Sequence, residues 1–272
     1  MMNKTYKYRK FIKKIYKTVI YFFLPFSLLL FIFGLFVFDT FEELFFLSFP
    51  LLAFIVNYLL YRKLVSTFIR ITDEGIEYQS GSRKLNINYR EIASLDSKSI
   101  RYTGGWMLIK LLNDKPIRLA ISLENIGDLA LTLKNKLDEL DLSGRYNEEK
   151  LFSFYKTSVF ADHSWVRSRR FLPIFMLLLV LQSVFMSVMA GIFEEPSIIM
   201  IGFLFIIIGM IPYYYIEFGI YVKELRHLPF NSDWKVETPD PVLENKRIKF
   251  ELFSIIVSAC VSVIVILTIL FA

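Results

Sequence analysis

The stretch TDEGIEYQSGSRKLNINY, residues 72–89, decides the fold because it interrupts a chain that is otherwise rich in long apolar runs. Its apolar residues alternate with polar ones in two segments, Ile76 and Tyr78 in the first and Leu85, Ile87 and Tyr89 in the second. Alternation with a period of two is typical of half-buried β-strands. Turn residues at 73–75 and 80–82 bound the first segment, so the stretch predicts hairpin strands.

Strands of the same kind are predicted on both sides of this stretch. Ile69 and Ile71 alternate before it, and the segments EIASLDSKSIRY (91–102), WMLIKLL (106–112) and IRLAI (117–121) follow it. A helix is then predicted to begin with Ser122 as its N-cap. Its apolar stripe consists of Ile126, Leu129, Ala130, Leu133, Leu137 and Leu140. Residues 66–140 therefore predict six or seven antiparallel strands followed by one amphipathic helix.

The order of these elements carries a family resemblance. A strand, a D-x-G-I turn (Asp73, Gly75, Ile76), an alternating strand, the YREI segment at 89–92, a hairpin and a terminal helix resemble the bacterial PH-like domain of small multi-pass membrane proteins. The resemblance implies two near-orthogonal antiparallel sheets closed at one end by the helix. It also implies a cytoplasmic binding or assembly module, and it implies no reaction.

The same loop limits the resemblance. Phosphoinositide-binding PH domains generally carry basic residues between the first two strands, whereas this chain has Asp73 and Glu74 there. The lipid site of those domains is therefore not transferred. Arg83 and Lys84 lie at the predicted hairpin tip, where their charge favours contact with an anionic inner leaflet.

The rest of the chain is too apolar for an ordinary soluble domain: 55% of its 272 residues are hydrophobic, and its mean hydropathy is +0.48. Five runs approach the 20 or so residues that a spanning helix needs, at 19–38, 44–61, 171–192, 197–220 and 251–271. The fold class predicted is a membrane α-helical protein with five transmembrane helices and an inserted cytoplasmic α+β PH-like domain. The predicted organisation is a basic amphipathic segment (1–17), a transmembrane hairpin (18–63), the PH-like domain (64–140), an interfacial helical linker (141–170), a second transmembrane hairpin (171–222), a cytoplasmic loop (223–250) and a fifth span (251–272).

The basic residues predict the orientation. All 32 Lys and Arg residues lie in three segments, with seven in residues 1–17, nineteen in 62–170 and six in 223–249. The connectors at 39–43 and 191–197 carry acidic residues and no basic ones. Under the positive-inside rule the N-terminus and the PH-like domain are cytoplasmic, in a plasma membrane, and the C-terminus is outside. The net charge of +6 is thus explained by topology and not by a nucleic-acid partner.

Two segments are expected at the membrane surface. In residues 1–17, Tyr8, Phe11, Ile12 and Ile15 have helical spacing among lysines, which suits an amphipathic turn on an anionic leaflet, although any first anchor needs a basic flank. The linker 141–170 mixes aromatic and charged residues and ends in Arg167, Arg169 and Arg170, which are expected at the headgroups.

Polar residues within the predicted spans are candidates for function, because they are costly in lipid. Glu217 lies near the Pro212 break, and it either pairs with Lys223 or Arg226 at the inner headgroups or forms a proton or substrate site. Asn57 and Gln182 either complete that polar site or form hydrogen bonds between helices. Small residues recur every fourth position in two spans, as Ser183, Ser187 and Gly191 and as Ser254, Ser258 and Ser262. These faces are predicted to pack helices together; the alternative is that lipid tolerates the serines.

Motifs for catalysis are not recognised. His163, His227 and Cys260 lack the spacing of metal ligands, and neither a phosphate-binding loop nor a hydrolase elbow occurs, so no cofactor is expected. The function predicted is a non-enzymatic scaffold, regulator or accessory subunit. Its expected partners are a bilayer with an anionic inner leaflet and a protein or a second copy. The resemblance also brings envelope stress and resistance to membrane-active peptides into consideration. The alternative function is a transporter component with a polar site at Glu217, and a membrane-embedded enzyme is the third class.

Overall fold

The computed structural model describes residues 3–37, 41–100, 105–113, 115–194, 197–230, 232–237 and 240–271. The chain divides into two compact units. The N-terminal unit consists of Met1–Lys98 and Trp106–Leu151, and the C-terminal unit consists of Ser99–Gly105 and Phe152–Ala272.

Two small antiparallel sheets organise the N-terminal unit, as the alternating sequence predicts. The first has four strands in the order β1 (Lys4–Lys7), β2 (Phe68–Ile71), β3 (Gly75–Ser80) and β4 (Arg83–Asn88). The second has three strands in the order β5 (Ile92–Lys98), β6 (Trp106–Leu111) and β7 (Ile117–Ala120). Each strand is antiparallel to its neighbours in the sheet.

Strand β1 lies where the sequence predicted a basic amphipathic helical turn. It pairs with β2 from Lys4↔Ile71 to Lys7↔Phe68. Tyr6 and Tyr8 are buried and alternate with the exposed residues Thr5 and Lys7, so the period here is two and not 3.6. Helix α1 (Lys10–Val37) begins only after this strand. The N-terminal residues thus belong to the sheet of the module, in addition to residues 64–140.

Helix α3 (Ile126–Glu139) follows the strands, but it begins four residues after the predicted N-cap Ser122. Residues 121–125 form turns instead, in which Leu123 is fully buried and bridges to Tyr8. Asn125 occupies the N-cap position in a left-handed conformation with φ of 55°, and its side chain makes no capping hydrogen bond. Residues of the predicted stripe are buried, namely Ile126, Leu129, Ala130, Leu133 and Leu137, whereas Leu140 is 38% exposed.

Two long helices complete the N-terminal unit. Helix α1 has 28 residues and helix α2 (Phe41–Ser66) has 26, and the two pack against each other. At 1.5 Å per residue their lengths are about 42 and 39 Å. They contain the runs at 19–38 and 44–61 that the sequence predicts as spans, except for residue 38. Residues 38–40 lie outside the described residues.

The C-terminal unit is helical. Its elements are α4 (Glu148–Phe193, whose first four residues belong to the N-terminal unit), α5 (Ser197–Tyr214), a π-helix (Tyr215–Ile220), α6 (Tyr221–His227) and α7 (Pro241–Phe271). Among the described residues, three helical segments are long and apolar enough, by length and composition, to cross a membrane: Glu148–Phe193, Met200–His227 and Pro241–Phe271. A membrane location follows for this chain.

Helix α4 also replaces the predicted interfacial linker. The sequence predicted a separate helical segment at 141–170, but α4 is continuous for 46 residues. Neither Gly nor Pro interrupts it between Glu148 and Leu172, and the helix continues through Pro173. Three of the aromatic residues expected at the lipid surface are buried in protein instead. Phe152 packs edge-on against Trp234 at 5.5 Å between ring centroids, and Phe154 and Phe160 are also buried.

Candidate functional site

Arg167 of α4 is the centre of a charged cluster in the C-terminal unit. Its side chain is only 1% exposed, so its guanidinium group is enclosed by other residues of the protein and does not face outward, as a direct headgroup contact requires. Arg169 and Arg170 are exposed, and Arg170 donates a hydrogen bond to Asn245 at 3.1 Å. Their contact with headgroups stays a prediction. A buried arginine needs compensating charge, so the neighbours of Arg167 explain its position.

Two carboxylates compensate Arg167. Its Nη1 donates to Oε2 of Glu244 at 2.8 Å, and its Nη2 donates to Oε1 of Glu217. Ser164, one turn earlier on α4, donates to the other oxygen of Glu217 at 3.0 Å. The partners of Glu217 are therefore on α4, and they are not Lys223 or Arg226, which the sequence suggested.

The backbone at Glu217 is irregular. Pro212 has no N–H to donate within the helix, and the π-helix Tyr215–Ile220 begins three residues later. A π-helix changes the angular spacing of side chains, and such turns are frequent at functional sites. Glu217 thus lies on a segment whose geometry differs from that of the regular helix on either side.

Tyr221 and Arg247 extend the cluster. The Tyr221 hydroxyl donates to Oε1 of Glu244, and the guanidinium carbon of Arg167 lies 3.9 Å from the centroid of the Tyr221 ring. Arg247 donates to Glu244 at 3.4 Å and to Glu224 at 2.8 Å. We call these residues, with Glu251, the ionic cluster: Arg167, Glu217, Tyr221, Glu224, Glu244, Arg247 and Glu251.

Glu251 differs from the other carboxylates of the ionic cluster. It is fully buried, and neither of its carboxyl oxygens has a hydrogen-bond partner among the described residues. Nε of Arg167 is likewise unpaired within that part of the chain. The cluster holds four carboxyl groups against two guanidinium groups, so acidic groups are in excess.

Gln182 belongs to a different polar contact. Its Nε2 donates to the carbonyl oxygen of Gly202 at 3.2 Å and to Oγ of Ser262 at 2.8 Å, which links α4, α5 and α7. Gln182 lies 15 positions after Arg167 on α4, which corresponds to about 22 Å along the helix. Asn57 lies in α2, in the N-terminal unit. Within the C-terminal unit, Glu217 and Gln182 are therefore not brought together as one site, and the participation of Asn57 in a polar site stays a prediction.

The two predicted small-residue faces, on α7 and on α4, differ in how they pack. On α7, Ser258 and Ser262 are buried and Ser254 is half-buried. Ser258 donates to the carbonyl oxygen of Phe205, and a Cβ at Gly209 would lie 3.0 Å from Ser258 Cβ. The α7 face thus packs against α5, as close helix contacts at small residues do.

The face predicted on α4 does not pack in this way. Ser187 and Gly191 are exposed, and Ser183 is half-buried. Met186 is buried instead, and it occupies the space in front of Gly202, where an added Cβ would lie 1.4 Å from its sulfur. The small residue of this contact is therefore the glycine on α5.

A narrow cavity of about 10 Å³ lies between α4, α5 and α7, with room for a single water molecule. Its lining is apolar except for Gln182, and it includes Ile255, which is one helical turn after Glu251. Among the described residues, no group of three or more His, Cys, Asp or Glu is arranged to hold a metal ion.

The N-terminal unit has a charged outer surface on its three-stranded sheet. Trp106 points away from the buried side chains of Met107 and Ile109, and Arg118 stacks over its ring at 4.0 Å. Lys98 lies 5.4 Å from the same ring. Lys110 is exposed on this side of the sheet. We call these four residues, Lys98, Trp106, Lys110 and Arg118, the basic-aromatic face, which is not among the sites predicted from the sequence.

At the predicted hairpin tip, Arg83 forms hydrogen bonds within the N-terminal unit. Arg83 donates to the carbonyl oxygens of Lys115 and Pro116, which connects β4 to the loop between β6 and β7. Lys84 is exposed. The contact of Arg83 and Lys84 with an inner leaflet stays a prediction.

The acidic turn at 73–75 is held in a fixed shape. The Tyr89 hydroxyl donates to the carbonyl oxygen of Thr72 at 2.6 Å. Burial, together with the charges of Asp73 and Glu139, raises the pKa of Tyr89 to about 12. The hydroxyl therefore remains a donor throughout the neutral pH range.

Comparison with known proteins identifies no relative: no family model, no curated protein and no solved structure matches this chain.

Proposed function

We propose that this chain is a non-enzymatic plasma-membrane protein with five spans that acts as a scaffold, a regulator or an accessory subunit. It acts through a cytoplasmic PH-like module. Two antiparallel sheets followed by helix α3 support the PH-like interpretation, because this is the arrangement that the resemblance implies. The lengths of α1 and α2 support two spans in addition to the three apolar helices of the C-terminal unit. The distribution of basic residues supports the cytoplasmic side for the module.

The basic-aromatic face is the observation that carries the role of the module. A tryptophan on the outer side of the sheet, flanked by cations, offers both apolar area and charge, so it suits an acidic protein surface or the anionic inner leaflet. Envelope stress and resistance to membrane-active peptides are processes in which such a scaffold would act.

Reversing the charge at Arg118 is expected to weaken the contact made by this face. In Arg118→Glu a carboxylate replaces the cation over Trp106, and we expect recovery of a copurified partner to fall at least about tenfold. The measurement is affinity purification of the full chain from mild detergent followed by quantitative mass spectrometry. Lys84→Glu, a matched charge reversal on the four-stranded sheet, is the control and should retain the partner.

Three outcomes of this experiment are decisive. Loss with Arg118→Glu alone supports the basic-aromatic face. Loss with Lys84→Glu alone assigns the contact to the hairpin tip instead. The third outcome has two parts: no partner is recovered with the wild-type chain, and chemical labelling of the Trp106 ring in nanodiscs is equal with neutral and with anionic lipids. Together these two results would show that the scaffold function is wrong.

A second candidate function is a transporter component, and the ionic cluster favours it, because buried charge among apolar helices is typical of ion and proton pathways. We expect Glu217→Gln to reduce the initial rate of proton uptake into liposomes at least about tenfold, at equal amounts of folded protein. Glu237→Gln is the control, since Glu237 is exposed and lies outside the ionic cluster. Equal uptake by Glu217→Gln and the wild type would contradict transport at this site.

A further inference from the structure

The Glu251 carboxyl group is excluded from the hydrogen bonds that hold the rest of the ionic cluster together. Glu217 and Glu244 both bind Arg167, and Glu224 binds Arg247. Glu251 is the most deeply buried of the four acids, and both of its oxygens lack a partner among the described residues. A carboxylate in this position receives no hydrogen bond from the described residues.

Helix geometry directs Glu251 toward the cluster. The buried residues of α7 recur at intervals of three and four, and Glu244 and Glu251 lie two turns apart on that same face. Charged and titratable groups act on Glu251 from each helix packed around it: Arg167 on α4, Tyr213 on α5, Glu217 on the π-helix, and Glu244 and Arg247 on α7 itself.

The charges of these groups do not balance if all of them are ionised. Arg167 forms ion pairs with Glu217 and Glu244, and Arg247 forms ion pairs with Glu244 and Glu224. With Glu251, the cluster therefore has two guanidinium groups for four carboxyl groups. Bulk solvent does not reach Glu251, since the residue has no exposed surface. A buried group in this situation is stable in its neutral form.

We propose that Glu251 is a proton-binding site of the helical unit. The carboxylate of Glu251 takes one proton from a hydronium ion, which leaves a water molecule, and is held as a neutral carboxylic acid beside Arg167 and its two carboxylate partners. This site is separate from the module and does not depend on the scaffold function.

Release of the proton would change the partners of Arg167. An ionised Glu251 competes with Glu217 and Glu244 for the guanidinium group, whose Nε is an unused donor among the described residues. Glu217 lies on the π-helix of the fourth predicted span. If Glu217 lost its bond to Arg167, that bond would no longer hold the π-helix to α4. Proton binding at Glu251 is therefore coupled to the position of that segment.

The test is infrared difference spectroscopy of the full chain in lipid nanodiscs during a pH titration. We expect a carboxylic C=O band that disappears as the pH is raised and that is absent from Glu251→Gln. Glu237→Gln is the matched control, since Glu237 is exposed in the loop before α7. Because Gln has the shape of the protonated acid, Glu251→Gln should keep its melting temperature within roughly 2 °C of the wild type.

Three results would overturn the proposal. A band that persists in Glu251→Gln belongs to another residue. A band that Na⁺ removes at constant pH indicates an inorganic cation as the ligand. Failure of Glu251→Gln to fold, or a loss of stability equal to that of Glu244→Gln, means that the charged carboxylate is needed and that Glu251 is not neutral.

Discussion

Replacement of Arg167 by Gln is expected to lower the free energy of unfolding of the C-terminal unit by about 3–5 kcal/mol. The guanidinium group is the shared partner of Glu217 and Glu244, whose side chains are each only 11% exposed. Without it, two buried carboxylates lose their compensating charge, and the penalty of leaving them unpaired exceeds the value of either hydrogen bond. Reversible unfolding of the full chain in mixed micelles, followed by circular dichroism, measures the change.

Arg169→Gln is the matched control for this prediction. It removes the same side chain from the same helix two residues further on, where the arginine is exposed, and we expect a change within about 0.5 kcal/mol. Arg167→Lys should lie between the two, because an ammonium group does not offer the planar fork that binds two carboxylates at once. Equal stability of Arg167→Gln and Arg169→Gln would show that Arg167 is not the centre of the cluster.

The strands and the core of the module could be predicted from sequence, because burial on one face of a strand imposes a period of two. Ile69, Ile71, Ile117 and Leu119 all alternate with polar residues, and all four are fully buried. Strand β1 was missed although TYKY alternates in the same way. Its lysines resemble the basic flank of a first span, and its pairing with β2 depends on residues at least 61 positions away, which a local pattern does not contain.

The candidate site could be predicted only in part. Glu217 was identified because an acid in an apolar run is costly, but its partner Arg167 lies 50 positions away on another helix. Arg167, Arg169 and Arg170 are equivalent in a sequence pattern, and only the rotation of α4 determines which one is buried. Glu244 and Glu251 were missed because they lie at the charged start of α7, where acids have an ordinary explanation as solvated residues.

Gly75→Ala is expected to disrupt the pairing of β3 with β4. The Cβ of an alanine at this position would lie 2.2 Å from the carbonyl oxygen of Ile87 and 3.1 Å from its carbonyl carbon. These are backbone atoms in the ladder that pairs Gly75 with Asn88, so they move only if the ladder opens. We expect a loss of about 1–3 kcal/mol or more in local stability. Hydrogen exchange of peptides that cover residues 72–89 in the full chain measures it.

Two other glycines separate the steric effect from the conformational one. Gly144 has open space around it, so Gly144→Ala should change stability by less than about 0.5 kcal/mol. Gly81 also has open space but a φ of +62°, so Gly81→Ala should cost about 1 kcal/mol through backbone strain alone. If exchange in residues 72–89 is no faster in Gly75→Ala than in Gly81→Ala, the close approach to Ile87 does not hold the hairpin. Faster exchange in Gly75→Ala alone shows that the second residue after Asp73 is a glycine because the neighbouring strand leaves no room for a side chain.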